Sequence, residues 1–254
     1  MRTFIVADAH GYPELIKNAL EHGEFEPGQD GFVYAGDLFD RGPDARGCIE
    51  LVQAYATEVV VGNHDLAVLL DFLVYPSNPE NREFRPFLID AVINADPEEG
   101  WKLATEVDGI LITHGGISSE YEGVFLEECN GDPGELAEHL NREFSAAVRA
   151  ELKTGEWDDG GILGDAGPTW FRPGPWSSRH PLGGIRQVVG HTPPVPELEA
   201  EGFYMVDPCA FYGMGDPRRF RYVIIEDGDI QVYEGTLGPT RSDDPPGQLA
   251  AVLC

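Results

Sequence analysis

Five short apolar runs in this chain each give way, within one or two residues, to a side chain able to bind a metal ion. Residues 3–7 lead to Asp8, 31–35 to Asp37, 58–61 to Asn63, 110–113 to His114 and 187–189 to His191. Short runs rich in β-branched and apolar residues, bounded by glycine, read as buried strands. In an α/β sheet, the loops at the carboxyl ends of the strands converge on one crevice. Five such residues would therefore meet at a single site, and His10, two residues past Asp8, can reach it from the same loop. The set holds two carboxylates, three imidazoles and one amide. That mixture suits Mn²⁺, Fe or Zn²⁺ and disfavours calcium, which prefers oxygen alone.

Helical spacing follows three of the runs, at 13–22, 44–56 and 66–74, so the first 75 residues read as three strand–loop–helix units and the class as α/β. Further on, 81–94, 97–107 and 133–153 are predicted helical. Strands are expected at 203–206 and 221–225, the latter pairing with 230–233 across Asp227-Gly228. One domain is expected over 1–235, with insertions at 76–107 and 118–167 and a loose tail over 236–254.

The net charge of −28, from 45 acidic and 17 basic residues, argues against a nucleic-acid partner, which needs a basic footprint. Such an acidic protein has either a simply well-solvated surface or one adapted to high salt, where charges are screened over a few ångströms. No run of about 18 apolar residues is present to span a membrane. The opening MRTFIVADAHG lacks the layout of a signal peptide, and the four cysteines (Cys48, Cys129, Cys209, Cys254) form no CxxC pair, so a reducing cytoplasm is expected. Several residues read as structural: His22, His139 and His180 as ordinary hydrogen-bonded histidines, Asp65 as a helix cap, and Cys209 as packing. Arg46 and the run Arg218, Arg219 and Arg221 read as solvated.

Five blocks carry a resemblance: Asp8-Ala9-His10-Gly11, Gly36-Asp37-Leu38-Phe39-Asp40-Arg41-Gly42, Gly62-Asn63-His64-Asp65, His114-Gly115-Gly116 and Gly190-His191-Thr192. In this order they resemble the calcineurin-like metallophosphoesterase superfamily. The Asp-Arg-Gly and His-Gly-Gly blocks resemble its phosphoprotein phosphatase branch, which includes bacterial- and archaeal-type serine/threonine phosphatases and diadenosine tetraphosphatases. The resemblance implies a four-layer α/β/β/α sandwich with two mixed sheets. It implies two divalent metal ions, Mn²⁺ foremost, one held by Asp8 and His10, the other by Asn63, His114 and His191, with Asp37 bridging them. Two cations about 3.5–4 Å apart need such an anionic bridge, and together they activate a water for attack on phosphorus. His64, oriented by Asp40, would protonate the leaving oxygen, while Arg41, Arg172 and Asn63 would hold the phosphate. The implied activity is hydrolysis of phosphate esters, foremost as a serine/threonine-type phosphoprotein phosphatase. Diadenosine tetraphosphate hydrolysis is the alternative, since Asp65 stands where eukaryotic protein phosphatases carry glutamate. A non-catalytic metal-binding module is the third reading.

Overall fold

Side chains along β1 (Thr3–Val6) alternate between two environments. Phe4 and Val6 pack in one cluster with Leu15, Ile16 and Leu20 of α1 (Pro13–His22), whereas Ile5 joins Val33, Val60, Ile110, Ile112 and Val188 in another. That alternation is the period of two of a strand covered on both faces. The computed structural model describes residues 1–96, 99–155, 161–174, 177–208 and 219–236.

β1 pairs in parallel with β2 (Gly31–Ala35), and β2 with β3 (Glu58–Val60). Between β2 and β3 runs α2 (Ala45–Tyr55), started by Asp44, whose Oδ1 accepts from the Gly47 N–H at 2.8 Å. α3 (Asn63–Leu70) follows β3 and stops at Asp71, which is left-handed at φ 61°. α3 therefore begins and ends earlier than the predicted 66–74, because Asn63 and His64 already belong to its first turn. The predicted helix over 81–94 is a succession of a 3₁₀ turn (Pro79–Phe84), α4 (Arg85–Ile89) and a π turn (Asp90–Asn94).

The helix predicted over 97–107 is corrected: its end is β4 (Ala104–Val107), which pairs antiparallel with β5 (Ile110–Thr113). Asp108 (φ 50°) and Gly109 (φ 76°) make the two-residue turn, and positive φ at both positions is what matches a hairpin's twist. Beyond β5, α5 (Pro133–Thr154) is capped by Asp132 and closed by left-handed Gly155, one residue longer than expected. β6 (Arg186–Val189) pairs in parallel with β5 and with β7 (Phe203–Met205), on either side of α6 (Pro196–Ala200). β8 (Arg219–Glu226) and β9 (Asp229–Thr236) form the expected hairpin over Asp227-Gly228, and β8 returns antiparallel to β1.

The two sheets, ordered β3-β2-β1-β8-β9 and β4-β5-β6-β7, are both mixed. Ile5, Val33, Val60, Val223 and Ile225 of the first meet Ile110, Ile112 and Val188 of the second. Outside, α1 and α2 cover the first sheet, and Leu136, Leu140, Phe144 and Val148 of α5 pack near Leu111 of the second. The result is the α/β/β/α layering expected. Arg221 is corrected from the solvated reading: it is buried, ion-paired with Glu199 and Glu234, and donates through Nε to the Met205 carbonyl at 2.6 Å. Arg218, Cys209 and the tail expected beyond Thr236 lie outside the described residues.

Candidate functional site

All six residues predicted as metal ligands lie buried at strand ends. Eleven non-glycine residues have positive φ among those described, and six are site candidates: Asp8, His10, Asp37, Asp40, Arg41 and His191. Strained backbone of this kind persists only where surrounding structure enforces it. Here the loops enforce one another, through Asp8 N–H to Gly36 O at 2.9 Å, His10 N–H to Asp37 O at 3.0 Å and Gly11 N–H to Leu38 O at 2.8 Å. The glycines preceding the candidate ligands permit the close approach. A Cβ on Gly62 would sit 2.2 Å from Asp37 Oδ1, and one on Gly190 2.3 Å from Asp8 Oδ2.

Asp37 stands at the centre. Its Oδ2 lies 3.4 Å from His10 Nε2, and its Oδ1 3.2 Å from His114 Nε2. His10 Nδ1 donates to the Phe39 carbonyl at 2.7 Å, and His114 Nδ1 to the Ala35 carbonyl at 2.8 Å. Each bond to a carbonyl leaves the Nε2 lone pair of the neutral ring facing carboxylate oxygen, a contact that only a proton or a cation between the two atoms makes favourable. His10 Nε2 also lies 3.8 Å from Asp8 Oδ1, and His114 Nε2 3.1 Å from Asn63 Oδ1. Buried His10 Nε2 and His191 Nε2 have no hydrogen-bond partner among the described residues. Donor atoms of Asp37, His114 and His191 lie within 4.8 Å of one another, as do those of His10, Asp37 and His64.

The electrostatics call for cations. Burial, then the nearby Asp207 carboxylate, push Asp8 well above the usual carboxylate range. Burial acts the same way on Asp37, but His114, His64 and His10 around it more than reverse this and keep it ionised. Burial holds His10 well below the usual imidazole range, against the pull of Asp37; burial and then Arg172 do the same to His191. Carboxylates and imidazoles crowded into one dry space are a ligand set for divalent metal ions, and these residues fit them.

His64 is grouped with His10 and Asp37 by distance, but its nitrogens are otherwise engaged. Nδ1 lies 2.6 Å from Asp40 Oδ2, and Nε2 lies 3.4 Å from Arg41 Nη2. A guanidinium beside Nε2 disfavours a second cation there. Asp40 is itself held by the Asn78 N–H at 2.8 Å and Asn81 Nδ2 at 3.3 Å. Arg172 is exposed; Nη1 donates to the His191 carbonyl at 2.6 Å and Nη2 lies 3.3 Å from His191 Nδ1.

Two contributors were missed in the sequence. Asp65 is more than a helix cap: Oδ2 accepts from the Asp37 and Gly62 N–H groups at 2.9 and 2.8 Å, and Oδ1 from the Leu38 N–H at 2.8 Å. It thereby ties the Asp37 loop to the start of α3. Asp207 is buried, two residues beyond β7. It repeats the strand-end pattern that marked the others, so the signal was present. The histidines read as structural have partners or surface positions: His22 Nδ1 lies 2.8 Å from the Tyr222 hydroxyl, His139 is 3.8 Å from Glu128, and His180 is exposed. A cavity of about 1050 Å³ lies apart from the site, between β4 and α5, and contains none of these candidates.

A mixed-sheet α/β/β/α sandwich with a histidine–carboxylate cluster at its strand ends defines a metallophosphoesterase. The chain belongs to the calcineurin-like phosphoesterase family, whose profile matches residues 1–195. It is 32% identical over 139 residues to a symmetrical bis(5'-nucleosyl)-tetraphosphatase of Enterobacter sp. (strain 638), covering 52% of this chain and 49% of that protein. A protein of the same name from Haemophilus influenzae (strain PittEE) is 28% identical over 151 residues, covering 55% and 53%. The chain thus spans about half the length of the curated relatives it matches. In fold it is similar to a cold-active protein-tyrosine phosphatase of a psychrophilic Shewanella sp., with TM-score 0.61, 18% identity and 93% and 80% of the two chains covered. A protein serine/threonine phosphatase of Saccharomyces cerevisiae gives TM-score 0.55 and 13% identity, with 95% and 82% covered.

Proposed function

We propose that this chain is a two-metal hydrolase of phosphate esters and anhydrides, in which Asp8 and His10 would hold one ion, Asn63, His114 and His191 the other, and Asp37 would serve both. The observation that carries this is the position of Asp37, which turns one oxygen to His10 and the other to His114. The donor set suits Mn²⁺ foremost, with Fe or Zn²⁺ as substitutes. Two such ions would supply positive charge at the phosphoryl oxygens and make a water acidic enough to ionise near neutral pH. His64 then gives its Nε2 proton to the departing oxygen, while Asp40 fixes the ring through Nδ1 and stabilises the imidazolium. Arg41, beside His64, and Arg172, on the His191 carbonyl, would present planar donors to the phosphate, with the Asn63 amide adding to its hold. The intact His64–Asp40 pair counts against a module that only stores metal. Buried thiols at Cys48 and Cys129 fit a reducing, cytoplasmic setting, and no helix among the described residues is long and apolar enough to cross a membrane.

The curated relatives favour a nucleoside polyphosphate as substrate. The Asp40-Arg41-Gly42 and His114-Gly115-Gly116 blocks support the second reading, a serine/threonine phosphoprotein. Turnover of diadenosine tetraphosphate and of a phosphoserine peptide, compared on Mn²⁺-loaded protein, separates the two. Faster hydrolysis of the peptide, by kcat/KM, would reverse the order. Failure to hydrolyse either substrate or an aryl phosphate would sink the proposal.

A further inference from the structure

A cavity of about 580 Å³ opens beside His191, within the ~300–1,000 Å³ typical of small-molecule sites. Trp170, Pro173, Pro193 and Val195 give it apolar walls, and Arg172 and Thr192 also line it. Trp170 is half-buried, and its ring meets His191 edge-on at 6.0 Å. Arg172 joins the cavity to the metal residues through its bond to the His191 carbonyl. Thr192 is only 5% exposed, yet its hydroxyl has no hydrogen-bond partner among the described residues. A buried hydroxyl without a partner is destabilising, and a ligand group arriving in the cavity would relieve it.

The position of the cavity selects the ligand. His64 stacks edge-on with His10 at 4.8 Å, Asp37 lies between His10 and His114, and His114 meets His191 at 5.1 Å. Trp170 thus meets the cluster at the His191 end, whereas His64, the proton donor to the leaving oxygen, meets it at His10. A phosphomonoester has only unsubstituted oxygens away from its leaving group, so it presents nothing to that end. A nucleoside polyphosphate does, because the attacked phosphorus keeps a second phosphate link, a ribose and a base.

We infer that this cavity holds the nucleobase of the half retained on the attacked phosphorus, stacked on Trp170, with Arg172 on its phosphate and Thr192 hydrogen-bonded to its polar edge. The inference rests on the two-metal reading and names its substrate class. In the reaction, water oxygen bonds to an inner phosphorus and the central P–O bond breaks. The departing nucleoside diphosphate keeps the bridging oxygen, so a bis(5'-nucleosyl) tetraphosphate yields two nucleoside diphosphates.

The test uses the full chain loaded with Mn²⁺, as wild type, Trp170→Phe, Trp170→Ala and Thr192→Val. Calorimetric binding of ADP is read without turnover and compared with inorganic pyrophosphate. ADP is expected to bind wild type at least about tenfold more tightly, the scale of one base–aromatic stack. Trp170→Ala should remove that advantage, Trp170→Phe should largely keep it, and Thr192→Val should weaken ADP binding about threefold. In turnover, Trp170→Ala should lower the ratio of kcat/KM for diadenosine tetraphosphate to that for p-nitrophenyl phosphate about tenfold, mainly through KM. Equal losses on both substrates would mean that Trp170 only supports His191, and would overturn the inference. So would ADP binding no tighter than pyrophosphate, or a loss confined to a phosphoserine peptide. A wild-type protein that binds ADP as expected but hydrolyses none of these substrates would overturn the two-metal reading and leave the cavity assignment standing.

Discussion

Asp37 governs the chemistry of its neighbours. Burial alone would push His114 down, but the Asp37 carboxylate, through charge and hydrogen bond, offsets this and brings His114 up to about 9. Its folded value is thus raised above the usual ~6.5. In metal-free protein the protonated His114–Asp37 pair is fully stabilising below about 6.5, and the contribution is lost as pH rises through about 9. A metal ion must displace that proton, so Mn²⁺ should bind more tightly as pH rises from 7 to 9 and release a proton. Calorimetry in buffers of different ionisation enthalpy reads the release; an affinity flat across that range would contradict it. His64 is tested separately. His64→Ala should keep metal content while slowing hydrolysis of a poor-leaving-group ester by about 10²–10⁴-fold, and an activated aryl phosphate much less. Equal losses on both would rule out proton donation.

The loops that aim these side chains are elements in their own right. The turns that carry the candidate residues were legible because each follows an apolar run, and glycine before Asp37, Asn63 and His191 reflects how closely the turns pack. Other features were hidden for physical reasons. β4 was read as helix because its four residues are too short for a clear alternation, although Asp108-Gly109 carried the hairpin signal. Asp65 looked like a cap because its partners, the Asp37 and Leu38 N–H groups, are 28 and 27 residues away in the chain. Arg221 looked solvated because Glu199 and Glu234 reach it only through the fold. Asp65→Ala would leave three buried N–H groups without their acceptor, and should cost about 2–4 kcal/mol in denaturant unfolding. Metal affinity should fall with it, since the Asp37 loop loses its tie to α3. Stability and affinity both at wild-type level would show that the clamp is incidental.

For the molecule as a whole, the α/β class followed from periodicity, but the second sheet followed only from the resemblance. Its members are far apart in sequence, and pairing such as β5 with β6 leaves no local trace. The charge of −28 acts at this scale. Repulsion among carboxylates should loosen the fold in dilute buffer, and screening to a Debye length of ~3 Å near 1 M salt should relieve it. The melting temperature should therefore climb through a potassium chloride series; a maximum in dilute buffer would make the acidity a matter of solvation alone. The two-metal centre itself is tested most directly by counting ions on chelator-treated protein as activity is restored with Mn²⁺. Hydrolysis should be absent without metal and reach its plateau at two bound ions per chain. Full turnover with no bound metal, or a plateau at one ion, would contradict the bridging role of Asp37.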